Sequence, residues 1–532
     1  MDDLPSFTTP LDWVVVAAYL ALATLLAWCV KGRQESRRDF FLAGRTLPWP
    51  VVAASIAATE IGVAAFLILP GVMMAWEGDF TRLQWVIGAI LARAVVAGFF
   101  VKRFYEGDHH SPYDFIGSRL GRGAKGLATV LFLFGGLLAH LVRLLLAAVP
   151  LHLVTPLPLG WCLVLIATFA VLWTLPGGMR SVAWTDLANL LVVLAAGFCA
   201  LLWMVDGFAD GWATLQETAR SAERFDGSVV DKLKWLDFRS DPALEFTFWV
   251  SIFAVPFLHV SLLGVDQSHA QPLFCCRGPR EARKAILWSV VGQVVVLLMM
   301  LVGIAIFVFY RLDPPTDPVI LKAMKWSGGA PGEPLFAFPV WIVTEMPTAL
   351  RGLMLAGIIA VAVSSFDSFL VAIGQIHADR YSSKFSSPGA MVSRIYIAFV
   401  GALLGCAAFT LFGICEVVGA DLLALISRVP AYTAGPLLAL FLAALAGRGR
   451  TVGFVIGTAL SMFAVAFSRR DLAILEENEV TGGALAAIHS ELLSGKLEIA
   501  GTLFASPWGW PLTSLLTLAC GWDYRRKKPS AL

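Results

Sequence analysis

Charge is what this sequence has least of. Only 15% of its 532 residues are Asp, Glu, Lys or Arg, against roughly a quarter in a soluble domain. Hydrophobic residues make up 58%, and the mean hydropathy is +0.76, which excludes an ordinary soluble globular protein. Cysteine is sparse as well. The eight cysteines show no zinc spacing, most lie inside apolar stretches, and Cys275 and Cys276 fall in a basic loop. Neither a zinc site nor a disulfide framework is implied. There is no Gly-rich phosphate loop, and the membrane class excludes nucleic-acid binding. No nucleophile–base pair or convergent metal set marks an enzyme. His109, His110 and Asp114 in EGDHHSPYDF are poorly spaced for a metal. The start, MDDLPSFTTP, is acidic and lacks a basic n-region, so the first apolar run is expected to be a retained span and not a signal peptide.

What the sequence has in abundance is apolar runs of membrane-spanning length. A window of about 19 to 20 residues gives roughly thirteen spans. They lie near 11–30, 49–76, 80–101, 125–152, 156–176, 183–206, 244–265, 285–310, 348–373, 394–413, 420–446, 451–468 and 503–521. The expected fold class is all-α, a polytopic membrane helical bundle. Net charge is only +2, but its placement is one-sided. Lys and Arg crowd loops 31–48, 102–124, 266–284 and 374–393, the pair Arg448 and Arg450, and the RRKK run at 525–528. The positive-inside rule makes that side cytoplasmic, with the N-terminus outside and the C-terminus inside a plasma (inner) membrane. Segments 207–243, 311–347 and 469–501 are then external.

Two spans carry breaks. WPVVAASIAATEIGVAAFLILPG places Thr59, Glu60 and Gly62 at mid-span, then Pro70 and Gly71. EFTFWVSIFAVPFLHVSLLGVDQ is interrupted by Pro256, His259 and Gly264. Irregular backbone at membrane depth is tolerated where it lines a cavity or binds an ion. The breaks sit five spans apart, and an odd number of spans per unit forces inversion. The expected organisation is therefore an N-terminal extra helix and loop over 1–48 and a first five-helix repeat over 49–206. An external loop (207–243) follows, then a second, inverted repeat over 244–446 and C-terminal extra helices with a tail over 447–532.

The run IIAVAVSSFDSFLVAIGQIHADRY, 358–381, sets Ser364, Ser365, Asp367 and Ser368 at mid-span. Ser364 and Ser368 share a face at i, i+4. Their hydroxyls are hard oxygens suited to an alkali cation, although serines also pack membrane helices. Asp186 and Asp367 are intramembrane acids, which either meet a cation or pair with Arg180 or Arg93. Glu60, at the first break, either caps exposed amides or attracts a cation. His140 and Arg143 lie one turn apart, and Arg143 is too deep to snorkel easily.

Taken together, RRDFFLAGRTLPW, AATEIGVAAFLILPG, PGGMRSVAWTDLANL (176–190), GVDQSHAQPLF (264–274) and the serine helix with its trailing HADRY resemble the sodium:solute symporter family, in order, over about residues 37–450. The resemblance implies a leucine-transporter-like bundle of two inverted five-helix repeats with flanking helices. It implies sodium as the coupling ion, held by the backbone carbonyls of Ala58, Ile61 and Val361 and the hydroxyls of Ser364 and Ser365. A possible second sodium would use Asp186, Asp367 and Ser368, although the family tends to carry Ser or Thr where this chain has Asp367. Gln84 and His259 match substrate-contacting positions, and with Glu60, His140 and Arg143 they make up the candidate solute site. Ala65 stands where sugar-selective members can carry Gln.

The expected function is sodium-coupled symport of a small polar organic solute (an organic acid, an acidic sugar or a sugar) into the cell by alternating access, and not an enzymatic reaction. Proton coupling through Glu60, Asp186 or Asp367 is one alternative. A transporter-derived membrane sensor is another, against which the ending GWDYRRKKPSAL offers no signalling domain. The partners expected are the solute, sodium and the lipid bilayer, with no obligate protein partner.

Overall fold

The structure, a computed structural model, describes residues 8–32, 34–107, 109–224, 227–324, 326–327, 330–331, 334–381, 390–418, 422–468 and 506–523. Hydrocarbon offers no hydrogen bonds, so a spanning segment must satisfy its own backbone, and helices do this within one segment. The described residues are accordingly helical almost throughout. Their strands are two-residue ladders, Ala222–Glu223 with Val229–Val230 and Trp326–Ser327 with Ala330–Pro331.

In chain order the main helices are α1 (Pro10–Cys29), α2 (Trp49–Met74), α3 (Phe80–Tyr105), α4 (Arg122–Val154), α5 (Leu159–Gly177), α6 (Met179–Asp206) and α7 (Trp212–Arg220). They continue as α8 (Phe248–Gly264), α9 (Gln267–Cys275), α10 (Pro279–Trp288), α11 (Gly292–Leu312) and α12 (Pro334–Glu345). The last are α13 (Leu350–Tyr381), α14 (Ala390–Val418), α15 (Leu422–Ala446), α16 (Thr451–Ser468) and α17 (Gly509–Gly521). Against the expected thirteen spans, nine helices among the described residues are long and apolar enough to cross a membrane. The broken pair α8 and α9 makes up to ten, and Tyr432–Ala446 and Thr451–Ala466 are shorter apolar helices.

The chain forms two compact units, each discontinuous in sequence. One gathers residues 1–83, 137–235 and 267–426, and the other residues 84–136, 236–266 and 427–532.

In the first unit α13 is the central element. Its spanning window is wholly buried. Helices α1, α2, α5 and α6 pack around it. Asp12 explains how an acid sits fully buried there. Its carboxylate accepts from the backbone N–H groups of Ala349 and Gly352 at 3.0 and 3.1 Å, capping the start of α13. Deeper in, Tyr19 on α1 donates its hydroxyl to Asn189 on α6 at 2.8 Å.

The second unit has its own aromatic core. Phe100 stacks on Phe441 with ring centroids 4.4 Å apart, and Trp85 meets Trp510 edge-on at 5.7 Å. Val250, Ala254 and Val255 of α8 are buried in the same cluster as Trp510. The hydroxyl of Ser261 donates to the Ala434 carbonyl at 2.7 Å.

Candidate functional site

The site begins with a backbone break. Gly62 lies inside α2 with φ 50° and ψ −171°, a region open essentially to glycine alone. The helix resumes through a π turn at Ala64–Ile68. Its ladder is thus interrupted at the depth where the sequence placed Thr59, Glu60 and Gly62. A Cβ built on Gly62 would lie 3.3 Å from the hydroxyl of Ser365, so a larger residue would crowd the serine helix.

Of the residues expected around sodium, Ala58, Ile61, Val361 and Ser364 line one cavity of about 10 Å³, with Asn189, Leu190 and Val193 of α6. That space admits one water-sized body. The fifth, Ser365, is 2% exposed, and its hydroxyl has no hydrogen-bond partner. A buried hydroxyl left unmatched costs about 1–3 kcal/mol, and a hard cation is a partner that its lone pairs suit.

Ser364 is arranged differently. Its hydroxyl donates to one oxygen of Asp186, and Ser55 donates to the other. Donating its proton to the carboxylate leaves the Ser364 lone pairs free for the cavity, while Asp186 acts from behind the serine. Asp186 is therefore held by serines and not by an arginine. Arg180 instead bonds the Val30 carbonyl at 2.9 Å and the Thr46 hydroxyl at 3.0 Å, and Arg93 bonds the Ala89 carbonyl at 3.0 Å.

Asp367 is 0% exposed, and neither of its oxygens receives a hydrogen bond. It is close enough to Asp186 for the charge of one to act on the other. The Ser368 hydroxyl pairs with that of Thr59 at 3.1 Å. One carboxylate oxygen of Glu60 accepts from the Gln293 side-chain amide of α11 at 3.2 Å.

On the other flank of the serines, the His140 ring stacks on Phe369 with centroids 4.1 Å apart and planes 12° from parallel. It lies against the Ser365 backbone, within electrostatic reach of Arg143 and His269. The remaining two candidates belong to the second unit. Gln84 is buried and staples a loop, donating to the Phe246 carbonyl at 3.1 Å and accepting from the Asp237 N–H at 3.2 Å. His259 is half-buried on α8. At the HH motif, Asp114 pairs with Lys125 at 2.6 Å and accepts from the His110 N–H at 3.1 Å.

Sequence reasoning missed Ser55, Asn189 and His269. Ser55 lies one turn before Thr59, and Asn189 lies three residues after Asp186, so each continues a polar stripe on its helix. His269 falls within GVDQSHAQPLF but carried no assigned role, and only folding brings it to His140.

A sequence model of the sodium:solute symporter family matches residues 40–457. The human sodium/iodide cotransporter is 25% identical over 85% of this chain and 69% of its own length. The sodium/sialic acid symporter of Proteus mirabilis is 26% identical over 70% of this chain and 71% of its own. The sodium/glucose cotransporter of Vibrio parahaemolyticus is 25% identical over 71% and 70%. The solved structure of a substrate-bound, outward-open sodium-coupled sialic acid symporter superposes with a TM-score of 0.72, covering 97% of each chain at 20% identity. At that identity the likeness concerns the fold.

Proposed function

Because this chain belongs to the sodium:solute symporter family, we propose that it uses sodium to drive a small carboxylate-bearing organic solute across the membrane by alternating access. Sodium coupling is common to the named relatives, whose solutes are iodide, glucose and sialic acid. The carboxylate is our reading of one observation. His140 lies against Ser365 and Phe369 on α13, and the permanent charge of Arg143 is within electrostatic reach of it, as is His269. Arg grips a carboxylate through two parallel hydrogen bonds, so Arg143 suits a solute that carries one. A carboxylate there would also lie near a sodium held by Ser365, so the two charges would support each other's binding. Gln84 and His259, in the second unit, stay solute candidates by their positions in the sequence alone, and Glu60 is a polar neighbour of the α2 break.

The sodium reading is supported by the Gly62 break, the cavity below it and the unmatched Ser365 hydroxyl. Asp186, Asp367 and Ser368 are our candidates for a second sodium. Two buried carboxylates side by side call for a cation, and Asp367 has both oxygens open for one.

The test is uptake into proteoliposomes of a panel of carboxylates and matched neutral sugars, with and without a sodium gradient. Carboxylate uptake should follow the gradient. Arg143→Lys keeps the charge and loses the fork, so it should weaken solute affinity by about tenfold with the sodium dependence nearly unchanged. The sodium Hill slope should exceed one and fall to one in Asp367→Ala. Strong sodium-driven uptake of a neutral sugar by both wild type and Arg143→Lys would refute the carboxylate reading.

A further inference from the structure

Helices α10 and α11 run as one apolar-rich stretch of 34 residues, Pro279–Leu312, joined by the short turn Ser289–Val291. At 1.5 Å per residue it is about 51 Å long, and the hydrocarbon core is about 30 Å thick. The 21 residues of α11 already account for about 31 Å. The ten residues of α10, PREARKAILW, thus exceed what the core needs, and its charged first turns belong at headgroup level, with Leu287 and Trp288 at the edge of the hydrocarbon.

The sides of α10 differ sharply. Ala282, Ala285 and Ile286 are buried, packed against α2. Facing away are Arg280 and Lys284, with Arg277 just before the helix, all exposed. Next to these charges lie Leu287, 46% exposed, and Trp288, 61% exposed. Trp288 also leans on Trp49 at the start of α2, with centroids 6.1 Å apart. Between Arg277 and Trp288 the sole carboxylate in the sequence is Glu281, against four cations. Basic side chains beside an exposed Trp and Leu at the edge of the hydrocarbon suit one kind of partner. Its anionic group must sit at headgroup level and its apolar part must run alongside the helix.

We propose that the outward face of α10 is a binding site for the headgroup of an anionic phospholipid. The phosphate is taken by Arg280 with Arg277 and Lys284, and the acyl chain lies against Leu287 and Trp288. A free phosphate would gain nothing from the apolar half, so the occupant is the lipid. Helix α11, which continues α10, packs closely on the broken helix: a Cβ at Gly292, where α11 begins, would lie 3.1 Å from the Cβ of Ala57, the residue before Ala58. A lipid seated on α10 thus braces the first half of the broken helix.

The proposal is tested without sodium, solute or transport, so it stands or falls apart from the symport reading. Detergent-purified full-length protein is titrated with phosphatidylglycerol or phosphatidylcholine, and retained lipid is measured by native mass spectrometry. Phosphatidylglycerol should be held in preference. Arg280→Gln with Lys284→Gln should weaken its tightest binding by about thirtyfold, at roughly 1 kcal/mol for each charge removed. Trp288→Ala, which keeps every charge, should weaken it several-fold. Arg448→Gln with Arg450→Gln, an equal loss of charge elsewhere, should leave it unchanged. Equal losses in both double variants, wild-type retention in the α10 variant, or full displacement by soluble glycerol phosphate would each overturn the proposal.

Discussion

Ser365→Ala separates an ion ligand from a packing serine. The hydroxyl is buried and hydrogen-bonded to nothing, so without sodium its removal deletes an unmatched polar group. Stability should be unchanged or should rise by about 1 kcal/mol. Ser364→Ala is the contrast, because that hydroxyl donates to Asp186. Breaking a hydrogen bond to a buried carboxylate should cost about 1.5–3 kcal/mol with or without sodium. The two variants should lose sodium affinity alike, since each loses one hard oxygen, while the stability gap between them persists. A loss of about 1.4 kcal/mol in ion affinity raises the half-saturating sodium concentration tenfold. Thermal unfolding across a sodium series reads both effects. The sodium-dependent stabilisation follows RT ln(1 + [Na+]/Kd), so Ser365→Ala should shift that curve to about tenfold higher sodium with little change in its starting point. A Ser365→Ala protein with wild-type sodium dependence would refute the ion role. So would one destabilised in sodium-free buffer as much as Ser364→Ala.

Two further tests lie away from the ion. Lys232 is 0% exposed; its ammonium donates to the Ala75 carbonyl at 2.7 Å and lies over the Phe307 ring at 4.4 Å. Burial pushes it down to about 7, against the pull of Asp79 and Glu77. Between about 7 and the usual lysine range the unfolded chain binds more protons than the folded one, so stability should climb with pH across that window. Lys232→Met should flatten the climb, and an equal slope in both proteins by thermal unfolding would count against it. For orientation, a reporter active only in the cytoplasm should work after Leu532, and a tag between 207 and 243 should be reached from outside; a cytoplasmic tag there would reverse the topology.

How much of the site is legible in the sequence depends on the range of the interaction. Gly62 stands out because an apolar run rarely carries Thr, Glu and Gly together, and the break it signals is a local backbone property. Ser364 and Ser365 stand out for the same reason, as polar groups at a depth where they are costly. The partners are another matter. Ser55 and Asp186 are 131 residues apart, and Ser364 lies 178 residues from Asp186. No periodicity says that three helices converge there. Gln84 reads as a solute contact by position, yet its amide is bonded at both ends to the backbone of the 236–247 stretch.

The sequence by itself determined that this chain is a helical membrane protein with interrupted spans, and five ordered motifs determined its family. Those features rest on composition and spacing, because hydrocarbon penalises an unsatisfied backbone wherever it occurs and leaves the helix as the local solution. The tertiary structure alone decided which oxygens are occupied and which are open. It set the Ser364 proton on Asp186, left Ser365 and Asp367 without partners, turned Glu60 to Gln293 and brought His269 to His140. Hydrogen bonding between distant helices depends on packing to within a few tenths of an ångström, and that precision comes only from the packing of every helix at once.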